Sequence, residues 1–177
     1  WELYTFWAFV PVLLLTYQNL HLDINFNISL FSFIIIASGS ISCVLGGYVS
    51  QKFGVKKTAF SFLLLSCICC ISAPIILQFA NKPLFILFLL FWGMVVIADS
   101  PLFSTLIAQN APSKDKGTAL TIVNSIGFLI TIISIQIIGG FINLTDSTIV
   151  FSILAIGPIL GLMSLKQTKI LGKPFIK

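Results

Sequence analysis

Asp99 is the acidic residue that the sequence places deepest in an apolar run, the stretch 84–109. It lies roughly 15 Å of helix from the end of that run at 1.5 Å per residue. A carboxylate at that depth costs a few kcal/mol unless it is protonated, paired or wetted by a cavity. Two residues on, Pro101 removes a backbone hydrogen bond, which bends the helix and frees the carbonyl of Ile97. That combination suits solute binding or proton coupling. Phe88, Trp92 and Phe103 fall on the same helical face and would wall the acid with aromatic rings, a setting for a cationic or neutral polar solute. The competing reading makes Asp99 an interhelical hydrogen-bonding group and the rings ordinary packing.

The run 117–142 carries a polar stripe. Gly117, Thr118, Thr121, Asn124, Ser125, Thr131, Gln136 and Gly139 fall within about 140° when plotted at 100° per residue. Such a stripe faces the bundle or a cavity. Asn124, then Thr121, is the residue expected to touch solute, the alternative being hydrogen bonds between helices. Gly39, Cys43, Gly46 and Ser50 form a small-residue stripe that lets helix backbones approach, read as packing, for which an interface with a second half of the protein is one place. Tyr17 and Gln18 end the first run, where they line an entrance or sit in an interfacial belt.

Other chemistries find no support. His21 stands alone with no partner at catalytic or metal-ligand spacing, and is read as solvated. Cys43, Cys67, Cys69 and Cys70 lie inside apolar runs, so neither a disulfide framework nor a metal site is expected. An enzyme needs a nucleophile and base, or clustered ligands, at depth, and no such set is visible. No phosphate-cradling loop ending in Lys-Ser or Lys-Thr occurs, and no cofactor is expected.

The elements that must position these residues are membrane helices. Of the 177 residues, 58% are apolar and 8% charged, and the charges gather in short gaps. That excludes an ordinary soluble domain. Six stretches approach the ~20 helical residues needed to cross a bilayer: 1–18, 28–50, 58–80, 84–109, 117–142 and 148–165. They make an all-α transmembrane half-bundle over 1–165, followed by a basic tail, 166–177. All ten basic residues are lysines. Lys52, Lys56, Lys57, Lys114, Lys116 and the four tail lysines fall on one side, and Lys82 alone on the other. By the positive-inside rule both ends are cytoplasmic. The net charge of +5 thus reads as topology rather than nucleic-acid binding. The chain opens on Trp1 with no basic segment ahead of the first run, which argues against a signal peptide and for a piece of something longer. Abundant Ile, Phe, Lys and Asn without Arg point to an AT-rich bacterial genome, hence the inner membrane. The triplets Asn27-Ile28-Ser29 and Asn143-Leu144-Thr145 are read as chance.

One loop carries a family resemblance. Gly47-Tyr48-Val49-Ser50-Gln51-Lys52-Phe53-Gly54-Val55-Lys56-Lys57 resembles the signature of the major facilitator superfamily, with Gly47 first, Lys52 basic, Gly54 at the turn and Lys56-Lys57 the basic pair. Gln51 stands where the family has Asp, a departure that fits a carboxy-terminal half and puts in doubt the charge-relay role of that position. Independently of the resemblance, Gly54 permits a turn with positive φ, and the lysines hold the loop at the membrane surface. Ala98-Asp99-Ser100-Pro101, Ala111-Pro112 and Gly117-Thr118-Ala119-Leu120-Thr121 resemble helices ten and eleven of bacterial members. The pairs Phe6-Trp7 and Phe91-Trp92 are a faint trace of an internal repeat.

The resemblance implies half of a twelve-helix fold built from inverted three-helix repeats. It further implies a central site for a small solute, alternating access driven by a proton or solute gradient, and an amino-terminal six-helix half as partner in the bilayer. Members that carry nitrate or phosphorylated solutes place Arg in the membrane, and this chain has none. A channel or a non-transporting scaffold would share the same helix count.

Overall fold

The computed structural model describes residues 1–22, 25–142 and 150–167, all helical or in short turns. The helices are α1 (Glu2–Leu20), α2 (Ile28–Phe53), α3 (Val55–Phe79), α4 (Lys82–Asn110), α5 (Lys116–Ile142) and α6 (Ile156–Gln167), the last entered through a 3₁₀ turn, Phe151–Ala155. Four of them, α2 to α5, are long and apolar enough to cross a membrane. Glu2, Pro11 and Gln18 make α1 more polar. The expected outward loop Asn143–Ser147, the start of the sixth run, and the tail lysines Lys169, Lys173 and Lys177 lie outside the described residues.

The polar punctuation between runs sets the helix ends. Asn27 accepts a hydrogen bond from the Leu30 amide at 3.2 Å, and Asn81 from the Leu84 amide at 3.1 Å. Both are N-caps, and Pro83 sits in the first turn of α4, where its missing N–H is harmless. Asn27 of the first triplet therefore has a structural use. Gly54 alone separates α2 from α3, with φ +89°, the left-handed region that other residues enter only at a cost. With so short a turn, α2 runs on past residue 50 and α3 starts before residue 58.

α1 lies at the centre of the bundle. Phe6, Val10, Leu14 and Tyr17 are fully buried, and the helix touches α2, α3, α4 and α5. The Tyr17 hydroxyl donates to the Ala80 carbonyl at 2.8 Å, and its ring stacks on Phe85 at 4.0 Å. His21, expected to be solvated, instead packs on the Tyr17 ring, with Nε2 3.4 Å from the Leu77 carbonyl. His21 is the C-cap of α1, its amide donating to the Tyr17 carbonyl at 3.1 Å, and the Tyr17–Ala80 bond sets that end of α1 beside the end of α3.

The small-residue stripe of α2 packs against α4 of the same chain, the packing role expected of it. A Cβ on Gly39 would stand 1.9 Å from Ile97 Cδ1, and one on Gly46 3.6 Å from the Ala98 Cβ. From the other side, Gly93 backs onto the Ile35 carbonyl, 3.1 Å from an added Cβ. α4 continues through Pro101. The Ile97 carbonyl, which that proline cannot serve, is approached by the Cys43 thiol at 3.8 Å.

α5 is the least enclosed of the long helices. Only Thr131, Ser134 and Ile138 are buried on it, and the Thr5 hydroxyl ties it to α1 through Ser134 at 2.7 Å. Ile122, Leu129 and Ile133 are more than half exposed, an apolar surface suited to hydrocarbon.

Candidate solute site

Below the start of α1 the helices part around a cleft of about 450 Å³. Glu2 and Tyr4 of α1, Leu63 of α3, Asp99, Ser100, Phe103, Ser104 and Ile107 of α4, Asn124, Gly127 and Thr131 of α5, and Gly157 and Gly161 of α6 contribute to its walls. The volume suits a small solute. Among the described residues no lysine lines the cleft.

Asp99 and Asn124, expected from their positions in two different runs, are brought to this one cleft. Asp99 is half-buried and makes no hydrogen bond or ion pair among the described residues, so its oxygens are open to whatever enters. Asn124 is exposed on the facing helix. Phe103 lines the cleft beside them, as expected of an aromatic wall.

Trp92 corrects the expectation placed on it. It is fully buried, its ring 4.8 Å from Phe6 and 5.6 Å from Phe88, and its indole does not line the cleft. Trp92 Nε1 instead donates to Oε1 of Glu2 at 2.9 Å. The same oxygen accepts from the Ser66 hydroxyl and from the Cys70 thiol, at 3.1 Å for the thiol. Glu2 is 6% exposed. Asp99 is therefore not the one deep acid: a second carboxyl lines the same cleft, held by donors from α3 and α4. Its other oxygen, Oε2, is buried with no partner. Glu2 opens its apolar run, where an acid reads as a surface residue. Only the packing of α1 beside the middle of α3 reveals its depth.

Three further residues lie outside the lining. Thr121 is exposed outside the cleft lining, its hydroxyl bonded to the Gly117 carbonyl at 3.0 Å. Gln18 accepts from the Phe26 amide at 3.3 Å, which ties the end of α1 to the following turn. Pro101 is exposed on α4 one residue past Ser100, at the rim rather than in the lining.

The glycine- and lysine-bearing loop sits away from the cleft. Gln51, Lys52, Lys56 and Lys57 are exposed around Gly54, and a Cβ on Gly47 would meet nothing within 4 Å. The Lys52 ammonium stands 5.7 Å from the Phe53 ring centre. The Gly54 carbonyl accepts from both the amide and the hydroxyl of Thr58, which starts α3 without a side-chain cap on its first turn.

Residues 3–135 match the family described as Major Facilitator Superfamily. No curated protein and no solved structure matches the chain at a significant level. The matched stretch covers most of the chain and includes α2, α3 and α4, three of its membrane-length helices, as well as both residues of the Asp99–Asn124 wall. On that ground the chain is a multi-pass membrane transporter and belongs to the Major Facilitator Superfamily.

Proposed function

We propose that the chain is the carboxy-terminal six-helix half of a secondary transporter that moves a small solute by alternating access, driven by a proton or solute gradient. Six spans are supported by length. α1 covers about 28 Å at 1.5 Å per residue, and Phe151–Gln167 a similar distance with its 3₁₀ turn at 2.0 Å per residue. In this reading residues 1–165 are the membrane half-bundle and 166–177 a basic tail. The lysine distribution puts both ends in the cytoplasm, with the bacterial inner membrane as the setting.

The observation that carries the site is the open carboxylate of Asp99 on a polar wall shared with Asn124. A charge at that depth is retained where it serves solute or proton. Asp99 supplies solute contact or proton coupling, Asn124 a hydrogen bond, and the Gly47–Lys57 loop steadies one end state.

Uptake into proteoliposomes by the intact transporter tests this. Accumulation against a concentration gradient separates a transporter from a channel or scaffold, neither of which concentrates a solute. Loss of that accumulation in Asp99→Asn assigns the role, and wild-type uptake with unchanged pH dependence removes it.

A further inference from the structure

Two carboxyls line the cleft, and they are held differently. Asp99 of α4 makes no hydrogen bond or ion pair among the described residues. Glu2 of α1 is fixed through Oε1 by Ser66, Cys70 and Trp92, whereas its Oε2 is buried and has no partner among the described residues. The residue as a whole is 6% exposed, so solvent does not serve that oxygen freely. An acceptor left unmet in such a place costs free energy. Because three donors converge on Oε1, Oε2 cannot turn to find another partner without breaking them.

Charge at the cleft is one-sided. Among the described residues no lysine or histidine side chain lines it, and the positive group at its wall is the α-amino group of Trp1. Two acids therefore face at most one fixed cation, in a chain whose net charge is +5. A neutral solute would leave the carboxyls uncompensated where charge interactions are poorly screened, and an anion would be repelled.

The rest of the wall says what kind of cation fits. The rings of Tyr4 on α1 and Phe128 on α5 lie 5.4 Å apart, and both residues line the cleft. Phe103 follows Asp99 by four residues on α4 and so shares its face. Aromatic faces attract a cation that has shed its water. A bare divalent ion would instead need about six oxygen ligands, and no group of three or more metal-ligating side chains occurs among the described residues. At about 450 Å³ the cleft has room for an organic body around the charge.

We propose that the cleft selects an organic cation, an ammonium group carried on an apolar body. Asp99 and Oε2 of Glu2 are its anionic contacts, and Tyr4, Phe103 and Phe128 are the rings beside it. Glu2 is thereby a specificity-determining residue, positioned by Ser66, Cys70 and Trp92. This names the solute class of the transporter proposed above and rests on that reading of the cleft.

Phenyltrimethylammonium and tert-butylbenzene share a shape and differ in charge, and benzenesulfonate reverses the sign. Calorimetric titration of each into the intact transporter in lipid nanodiscs, with empty nanodiscs subtracting partition into lipid, tests the selection. The ammonium should bind at least about tenfold tighter than the neutral isostere, and the sulfonate should show no saturable binding. Equal affinity for the ammonium and the isostere, tighter binding of the sulfonate, or no saturable binding of the ammonium overturns the proposal.

Glu2→Gln keeps an oxygen for the three donors and removes the charge. It should weaken the ammonium about tenfold and leave the neutral isostere unchanged, a split that a purely structural role would not produce. An unchanged ratio of the two affinities in Glu2→Gln overturns the role of Glu2. Should that variant fail to fold, Phe128→Leu, at a position 52% exposed, decides through the rings: the ammonium should weaken by about threefold and the isostere should not. Equal effects on both probes overturn the aromatic contact. Gradient-driven uptake is a separate readout. Accumulation of neutral or anionic solutes without preference for the ammonium removes the cation site and keeps the transporter, whereas selective ammonium binding without accumulation of any solute does the reverse.

Discussion

Trp92 of α4 holds Glu2 of α1 by a 2.9 Å hydrogen bond from its indole to Oε1, at a point where both residues are buried. This bond, with those from Ser66 and Cys70, joins three helices at a single carboxyl oxygen. Trp92→Phe keeps most of the ring and removes the donor. A hydrogen bond of this kind contributes about 0.5–1.5 kcal/mol, so the variant should lower the melting temperature in detergent by a few degrees. Glu2→Leu removes the acceptor and strands three donors, and is expected to cost more. A Trp92→Phe protein as stable as wild type would show that the bond does little.

The α2–α4 contact predicts opposite outcomes for two glycines of one helix. Gly39→Ala puts a methyl 1.9 Å from Ile97 Cδ1, and overpacking of this kind costs about 1–3 kcal/mol. Gly47→Ala meets open space, and alanine is the better helix former by about 1 kcal/mol. Thermal unfolding of the pair should move down for the first and stay level or rise for the second.

Gly54 is the single residue between α2 and α3, at φ +89°. A side chain there costs about 1–3 kcal/mol in backbone strain whatever the space around it. Gly54→Ala should therefore destabilise, while Gln51→Ala, on an exposed helix position, should not. Equal melting temperatures would mean that the turn relaxes freely.

Tyr17→Phe deletes the hydroxyl that serves the Ala80 carbonyl and keeps the stack on Phe85. The expected loss is about 1 kcal/mol, read from the same unfolding measurement. The end of α1 that places His21 beside Leu77 should loosen with it, which hydrogen exchange of the last turn of α1 would detect.

The helices were legible because a bilayer demands long apolar runs, and the gaps between them carry residues whose chemistry ends or starts helices, among them Asn27, Gly54 and Asn81. Asp99 and Asn124 were legible as polar groups inside such runs, since hydrocarbon tolerates them only facing a cavity or a partner. Glu2 was not, because its depth comes from the register of α1 against α3, a tertiary fact with no local trace. Trp92 was placed on the right face of α4 but in the wrong surroundings: 100° per residue gives direction, not which neighbour fills the space. The Gly39–Gly46 stripe was legible as packing for its small residues, and the structure supplies its partner, α4.

The most direct test of the account is gradient-driven solute uptake by the intact transporter in proteoliposomes, wild type against Asp99→Asn, over a panel of cationic, neutral and anionic solutes. The account predicts accumulation by wild type and at least about a tenfold loss in the variant, equivalent to about 1.4 kcal/mol. Equal accumulation and equal pH dependence in the two proteins would contradict the role of Asp99. A well-folded wild type that concentrates no solute under any gradient would contradict the transport reading itself.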